Sequence, residues 1–253
     1  MALWKKVLRV LLPLVVWLGL WELLAWRVGV ELLLPGPVQV ARRLWTLAGT
    51  AQFWRTCLST LGRVFAGGSL GAAAGILVAA VSAWWAPAQW VLSPLMKVVR
   101  ATPVASFIIL IWLWCKSAMV PAVIAALMAA PVVWSVTAQA IRETDPKLLE
   151  MAAAYRFSRG KTLRLIYIPS VLPAVEAGCR NALGLSWKAG VAAEVLCRPR
   201  WALGTEVYNA KLALETADLF AWTAAVVVLS ILVEWALWAL LRLGERRRRH
   251  GAS

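Results

Sequence analysis

The sequence is poor in the residues on which most catalytic and metal sites depend. Its 253 residues include one histidine, His250, and four cysteines, none of them in CxxC spacing. A serine–histidine pair and a histidine-ligated zinc site are therefore not expected, and no metal ligand set is predicted. We interpret the cysteines as small apolar packing residues. They are Cys57, Cys115, Cys179 and Cys197.

Acidic residues are also scarce. The sequence has 12 Asp and Glu against 27 Lys and Arg, which gives a formal net charge of +15. In a soluble protein this balance would suggest nucleic acid, but no basic patch here is interleaved with exposed aromatics on a soluble fold. An excess of Lys and Arg on the cytoplasmic side is the usual pattern of membrane proteins. We therefore expect a lipid membrane and no nucleic-acid partner.

Hydrophobic residues, in contrast, make up 62% of the chain, and the mean hydropathy is +0.73. Soluble domains have nearer ~45–50% apolar residues. The sequence therefore predicts an all-α polytopic membrane protein with about six transmembrane helices, each near the ~20 residues that a crossing needs. The six runs are 10–26, 56–83, 91–114, 121–141, 173–196 and 217–243. The third run is interrupted by Pro94 and Pro103.

The same runs divide the chain into three parts. We predict an N-terminal transmembrane helix with an external linker (1–55), a core of five transmembrane helices (56–243) and a basic cytoplasmic tail (244–253). Because most Lys and Arg fall on one side of this topology, both termini are expected in the cytoplasm.

A glycine repeat marks the second predicted span. Gly67, Gly71 and Gly75 recur every four residues, so one face of the helix has almost no side chains. A second helix backbone can approach such a face closely. We interpret these glycines as a helix-packing face, through which helices of the pore meet.

The fifth predicted span carries four ionisable residues, which are costly at membrane depth. They are Glu176, Arg180, Lys188 and Glu194. Lys188 lies about 20 Å along the helix from Pro173. Two interpretations stay open. In one, Lys188 and its neighbours Ser186 and Trp187 line a translocation path and present a positive charge to a small anion. In the other, Lys188 makes a structural bond to another helix.

The segment 142–169 is charged and helix-forming although hydrophobic runs flank it, so we expect it in water at the membrane surface. Asp145 can cap a helix that begins at Pro146. Ser158 can start a second short helix that ends before Pro169. An apolar stripe on the first helix has no visible partner inside the chain. It consists of Leu148, Leu149, Ala152, Ala153 and Phe157.

At these residues the chain resembles the EAA motif of the integral membrane subunits of binding-protein-dependent ABC importers. The motif reads EAA, three residues, Gly, nine residues, I-x-L-P, and Glu150-Met151-Ala152, Arg156 and 166–169 stand at that spacing. Met151, Arg156 and Ile168 depart from it. Glycine at a helix end usually serves a left-handed conformation, so Arg156 would cost about 1 kcal/mol if that geometry is kept. The alternatives are a more continuous bend or a new cap at Ser158.

The resemblance implies that this segment is the coupling helix, which docks on a separate cytoplasmic ABC ATPase dimer. The residues implied in coupling are Leu148, Leu149, Glu150, Ala152, Ala153, Arg156, Phe157, Ile166 and Pro169. It also implies an extracytoplasmic solute-binding protein, a bacterial inner membrane and a second permease subunit, which is either another copy of this chain or a paralogue. ATP and Mg would be bound by the ATPase, and no cofactor by this chain. Gly160-Lys161-Thr162 lacks the leading glycine and the preceding strand of a phosphate-binding loop.

The segment 180–194 is similar to the nitrate, sulfonate and taurine branch of these permeases, which implies a small solute of that kind or a related metabolite. The external loop 198–216 is the natural surface for a binding protein. A secondary transporter or channel that works without an ATPase stays as the alternative. Such proteins often carry internal repeats, and we find no convincing repeat between the two halves.

Overall fold

The computed structural model describes residues 3–250 and is helical over nearly all of them. Its helices are α1 (Leu3–Val28), α2 (Pro37–Ala48), α3 (Ala51–Trp84), α4 (Ala86–Ala101), α5 (Val104–Trp114), α6 (Val120–Arg142), α7 (Pro146–Ala154), α8 (Arg159–Thr162), a π-helix (Leu163–Tyr167), α9 (Ile168–Cys197), α10 (Leu203–Leu212) and α11 (Thr216–His250). The last three residues of the predicted basic tail, 251–253, lie outside the described residues.

Several of these helices can cross a bilayer. Among the described residues, three helices are both long and apolar enough: α3, α6 and the Thr216–Leu237 part of α11. The helices α4 and α5 together form a fourth candidate. The prediction of an all-α polytopic membrane protein is confirmed. The helices α1 and α9 have 26 and 30 residues, which is long enough to cross, and a total of six spans stays a prediction.

The third predicted span is bent at one point. α4 ends at Ala101, Thr102 and Pro103 are extended with ψ of 132°, and α5 begins at Val104. Since the residue before a proline is disfavoured in the helical conformation, the helix stops here and the chain turns by 106°. Pro94 lies inside α4, which continues past it. The expected interruption at Pro94 is therefore wrong, and the break lies at Pro103 alone.

The centre of the fold is the parallel packing of α3 on α6 through the predicted glycine face. A Cβ added to Gly67, Gly71 or Gly75 would lie 2.0, 2.2 or 2.5 Å from the carbonyl oxygens of Ala122, Ala126 and Ala130, respectively. Only glycine permits this approach. The helix that approaches the predicted glycine face is therefore α6 of the same chain.

Helix α9 runs antiparallel to this pair and closes the bundle. The Ser186 hydroxyl donates to the carbonyl oxygen of Ala125 in α6 at 2.9 Å. A Cβ on Gly190 would meet Val64 of α3 at 2.7 Å. The segment 142–169 consequently joins α9 at the end of the bundle where α3 and α6 finish. The loop and helix 198–212 lie at the opposite end.

Near that opposite end, α2 packs against α11. The Arg43 guanidinium donates to both carboxylate oxygens of Asp218, at 2.8 Å from Nη2 to Oδ2. This pairing raises the pKa of Arg43 above its usual value. Helix α2 is thereby tied to the first turn of α11, where the helix dipole also stabilises a carboxylate.

Candidate functional site: the elbow and the ionisable groups of α9

The first helix of the elbow, the segment 142–169, begins where the sequence predicts. The Asp145 carboxylate accepts a hydrogen bond from the backbone N–H of Lys147 at 2.9 Å, and Pro146 occupies the first helical position. Proline has no N–H to lose there, and its φ already suits a helix. The predicted cap at Asp145 is confirmed.

The same helix ends in a tight left-handed turn. Arg156 has a φ of 51°, its N–H donates to the carbonyl of Ala153 at 3.0 Å, and the N–H of Phe157 donates to that of Ala152 at 2.8 Å. These two bonds form a Schellman motif, whose left-handed position usually holds glycine. The geometry is therefore kept although arginine occupies it, and a more continuous bend does not occur. Ser158 then caps α8 by accepting from the N–H of Lys161 at 3.4 Å.

The elbow exposes a different apolar stripe from the one predicted. Leu148, Met151 and Tyr155 are 38%, 40% and 74% exposed, and their spacing of three and four residues puts them on one face. Ala152 and Ile166 are buried. Of the other predicted coupling residues, Leu149 and Phe157 are half-buried, whereas Glu150, Ala153, Arg156 and Pro169 are exposed. Since α7 has few contacts with the other described helices, this stripe has no cover within the part of the chain that the structure describes.

Apolar space lies between the elbow and the bundle. A cavity of about 260 Å³ is lined by Ile76 of α3, Ile141 of α6, Tyr167 of the π-helix and Val171 of α9. A second cavity of about 710 Å³ contacts Phe157 and Trp84. A single π-helical turn such as Leu163–Tyr167 is uncommon and is frequent at functional sites. The junction of elbow and bundle is thus loosely filled.

The three predicted pathway residues separate in the structure. Ser186 and Trp187 are buried inside the helix bundle, and the Ser186 hydroxyl is engaged with Ala125. Neither residue has a surface that a solute can reach in this conformation. Lys188 is exposed and lines a cavity of about 490 Å³ between α9 and α11.

A buried polar cluster lies near the other end of α9. The Glu194 carboxylate is fully buried and accepts from Thr60 Oγ1 at 2.9 Å, Arg63 Nη1 at 2.9 Å and the N–H of Gly204 at 3.2 Å. Thr60 Oγ1 in turn accepts from the N–H of Leu203 at 3.0 Å. Helices α3, α9 and α10 therefore meet on one satisfied carboxylate.

A sequence model of binding-protein-dependent transport system inner membrane components matches residues 71–250. The chain belongs to this family. This permease subunit of an ABC importer is similar to several curated permeases. It is 28% identical over 218 residues to the taurine transport system permease protein TauC of Escherichia coli, covering 83% of this chain and 78% of that protein. It is 28% identical over 205 residues to the nitrate import permease protein NrtB of Synechococcus elongatus, covering 76% and 72%.

Two further similarities also cover most of the permease. The putative aliphatic sulfonates transport permease protein SsuC of Bacillus subtilis is 26% identical over 247 residues, covering 96% of this chain and 86% of that protein. The crystal structure of an amino acid ABC transporter with histidines has a TM-score of 0.65 at 18% identity and covers 81% of this chain and 97% of that chain. The latter similarity establishes the helical fold alone.

The partners of Glu194 in this permease are not visible in its sequence. Glu194 stands out there only as an ionisable residue within a hydrophobic run. Arg63 and Thr60 are more than 130 positions away, and Gly204 contributes only its backbone. No local spacing predicts such a cluster.

Proposed function

We propose that this permease forms half of the translocation pore of an importer in the bacterial inner membrane, with both termini in the cytoplasm. A solute-binding protein delivers a small solute such as nitrate, a sulfonate or taurine, and a separate ATPase dimer, which binds ATP and Mg, drives its passage. The second half of the pore is another copy of this chain. The relatives named for taurine, nitrate and aliphatic sulfonates support the solute class.

The exposed stripe of Leu148, Met151 and Tyr155 carries this proposal. An uncovered apolar face on a helix with charged neighbours such as Lys147 and Glu150 has the pattern of an interface core with a polar rim. Its helix is capped at both ends, which fixes its shape before a partner binds. A preformed helix of this kind fits a groove on a partner protein.

The elbow also has a short route to the pore. Arg159–Thr162 and the π-helix lead without a break into α9, and the buried Ile166 holds the π-helix in the fold. We propose that displacement of α7 by the ATPase tilts α9 and so opens and closes the pore. Lys188 on α9 faces the pore and presents its charge to the solute.

The docking role is tested by Leu148→Asp in the reconstituted permease–ATPase complex. A carboxylate within the stripe must be desolvated when the ATPase binds, so we expect the ATPase to dissociate during purification and ATP-driven uptake to be lost. Lys147→Asp is the matched control, because it adds the same carboxylate one position away on the exposed surface. Because Lys147 lies in the polar rim, where a charge stays in contact with water, this variant should weaken binding far less than Leu148→Asp and should keep ATP-driven uptake.

The alternative function is tested with a second preparation, in which the ATPase is left out. Uptake driven by an ion gradient in vesicles that contain this chain alone would contradict the proposal and identify a secondary transporter. The solute itself is best sought with the binding protein, by thermal-shift measurements against nitrate, alkanesulfonates and taurine. A ligand outside these classes would refute the proposed solute and leave the ATPase coupling intact.

A further inference from the structure

The cavity between α9 and α11 brings together three ionisable side chains. Arg180 and Lys188 lie one helical turn to either side of Gly184 on α9, about 6 Å along the axis in each direction. Glu234 of α11 reaches over Gly184, because a Cβ added to that glycine would lie 3.3 Å from Glu234 Oε1. All four residues line the cavity, together with Asn181. The carboxylate therefore lies along the helix between the two cations.

Two charged groups of this cavity, Glu234 and Lys188, have no ion-pair partner within 4.0 Å in the described part of the chain. Both side chains are exposed. In the Glu194 cluster, by contrast, the carboxylate accepts three hydrogen bonds of ordinary length. An ionisable group that is kept at membrane depth without such a partner faces water or a ligand.

Counting charges indicates the ligand. Two cations and one carboxylate give the cavity a net charge of +1, so a bound monoanion makes it neutral. A dianion leaves an excess negative charge close to Glu234, which is unfavourable because like charges a few ångströms apart repel each other. We propose that this cavity is the pore's anion site and that Glu234 makes it select monoanions over dianions.

This inference rests on the proposed function, and it names the solute class more narrowly. Nitrate and alkanesulfonates each carry a single negative charge, and so does the sulfonate group of taurine, whereas sulfate carries two. Glu234 also occupies the space between the cations when no solute is present. The empty site then holds one excess positive charge, which attracts an anion without binding it too tightly for release.

Glycine at position 184 is part of the same arrangement. A Cβ added at this position would lie closer to Glu234 Oε1 than ordinary van der Waals contact allows. A side chain there would therefore push the carboxylate away. Glu234 would then move away from the line between Arg180 and Lys188. Gly184→Ala should therefore shift the preference in the same direction as removal of the Glu234 charge, and by less.

The test measures equilibrium binding of radiolabelled ethanesulfonate and sulfate to the purified permease–ATPase complex in nanodiscs, without a binding protein and at constant ionic strength. The wild-type complex should bind ethanesulfonate more tightly than sulfate. Glu234→Gln keeps the shape and removes the charge, so the ratio of the two affinities should move toward sulfate by on the order of tenfold or more. Lys188→Met should weaken both anions. Glu215→Gln, an exposed carboxylate beyond α10, should leave the ratio unchanged.

Three results would overturn the inference. One is an unchanged affinity ratio in Glu234→Gln, and another is no binding of either anion to a wild-type complex that still performs ATP-driven uptake. In the second case the proposed function stands and only the anion site is lost. The third is dissociation of the two permease copies by Glu234→Gln or Lys188→Met in size-exclusion chromatography, because the residues would then form an ion pair between subunits.

Discussion

Arg63 is the residue whose loss should destabilise this permease most clearly. Its guanidinium donates to the buried Glu194 carboxylate at 2.9 Å and to the carbonyl oxygens of Arg200 and Trp201 at 2.6 and 3.3 Å. In Arg63→Met the stem of the side chain is retained but Glu194 loses its only ion-pair partner among the described residues. An uncompensated buried charge typically costs about 3–5 kcal/mol.

The size of the ion-pair contribution can be separated from packing by a double-mutant cycle. Glu194→Gln alone removes the charge, keeps most of the volume and leaves Arg63 partly exposed to water, so we expect a smaller loss of about 1–3 kcal/mol. In the double variant Arg63→Met/Glu194→Gln no charge is buried without a partner. Its loss should therefore fall short of the sum of the single losses by about 1–3 kcal/mol.

The assay is thermal unfolding of the purified permease in detergent, followed by tryptophan fluorescence. Arg55→Met serves as the control, because Arg55 lies on the same helix and its guanidinium contacts only the ring of Trp201 in the described structure, 4.4 Å from its centre. It should cost less than about 1 kcal/mol. Additive losses in the cycle would refute the argument that Arg63 acts by compensating the Glu194 charge.

Three further substitutions test other parts of the structure. Arg156→Gly should stabilise the elbow by about 1 kcal/mol, seen as slower proteolysis there, because glycine adopts the left-handed φ of 51° without strain. Gly71→Ala should destabilise the permease by about 1–3 kcal/mol in thermal unfolding, since its Cβ would lie 2.2 Å from the carbonyl oxygen of Ala126. Glu206→Gln should raise the melting temperature at neutral pH, because burial raises the pKa of this carboxyl; the gain should disappear as pH falls below the ordinary carboxyl pKa.

Two of these substitutions have a control variant of opposite or no effect, and the third has a pH dependence that can contradict it. Gly62→Ala lies on the same helix as Gly71, with nothing within 4 Å of the added Cβ, and should stabilise by about 0.5–1 kcal/mol through helix propensity. Arg159→Gly, inside α8, should not stabilise the elbow. For Glu206, the native state binds more protons than the unfolded state just above the ordinary carboxyl pKa, so a gain that grows toward acid pH would contradict the stated sign.

The fold was predictable where a pattern depends on neighbours in sequence. Hydrophobic run length located α3 and α6, the four-residue glycine repeat located the close face of α3, and Asp145 before Pro146 located the start of α7. The bend at Pro103 was visible as a proline, but Pro94 has the same sequence signal. Only packing decides between them, because neighbouring helices can satisfy the backbone group that a proline frees.

Which helix covers a given helix face was not predictable, because this depends on contacts between positions that are distant in sequence. Which helix covers Gly71, and that it belongs to the same chain, depends on contacts between positions 71 and 126. The stripe on α7 was shifted because Ala152 is small enough to fit inside the elbow, which turns Met151 and Tyr155 outward. Periodicity identifies the apolar face of a helix, but it does not predict which part of a broad apolar face is buried.

Helix α9 joins the three features from which function is argued. At one end it continues from the elbow through the π-helix, part-way along it carries Lys188 in the cavity shared with α11, and near the other end Glu194 ties it to α3 and α10. A helix of 30 residues is about 45 Å long, and beyond Pro173 its backbone hydrogen bonds are internal, so that part can tilt as one unit. If Glu194 holds the outer end fixed, a push at the elbow displaces Lys188 relative to Glu234 by a fraction of the displacement of α7. Under the proposed coupling to an ATPase, the same motion would change the distance between these two charges. We therefore expect Arg63→Met to reduce the uptake for each ATP hydrolysed in reconstituted vesicles, because α9 can slide instead of tilting when this end is not fixed. If the variant is less stable but its coupling is unchanged, the Glu194 cluster serves folding alone.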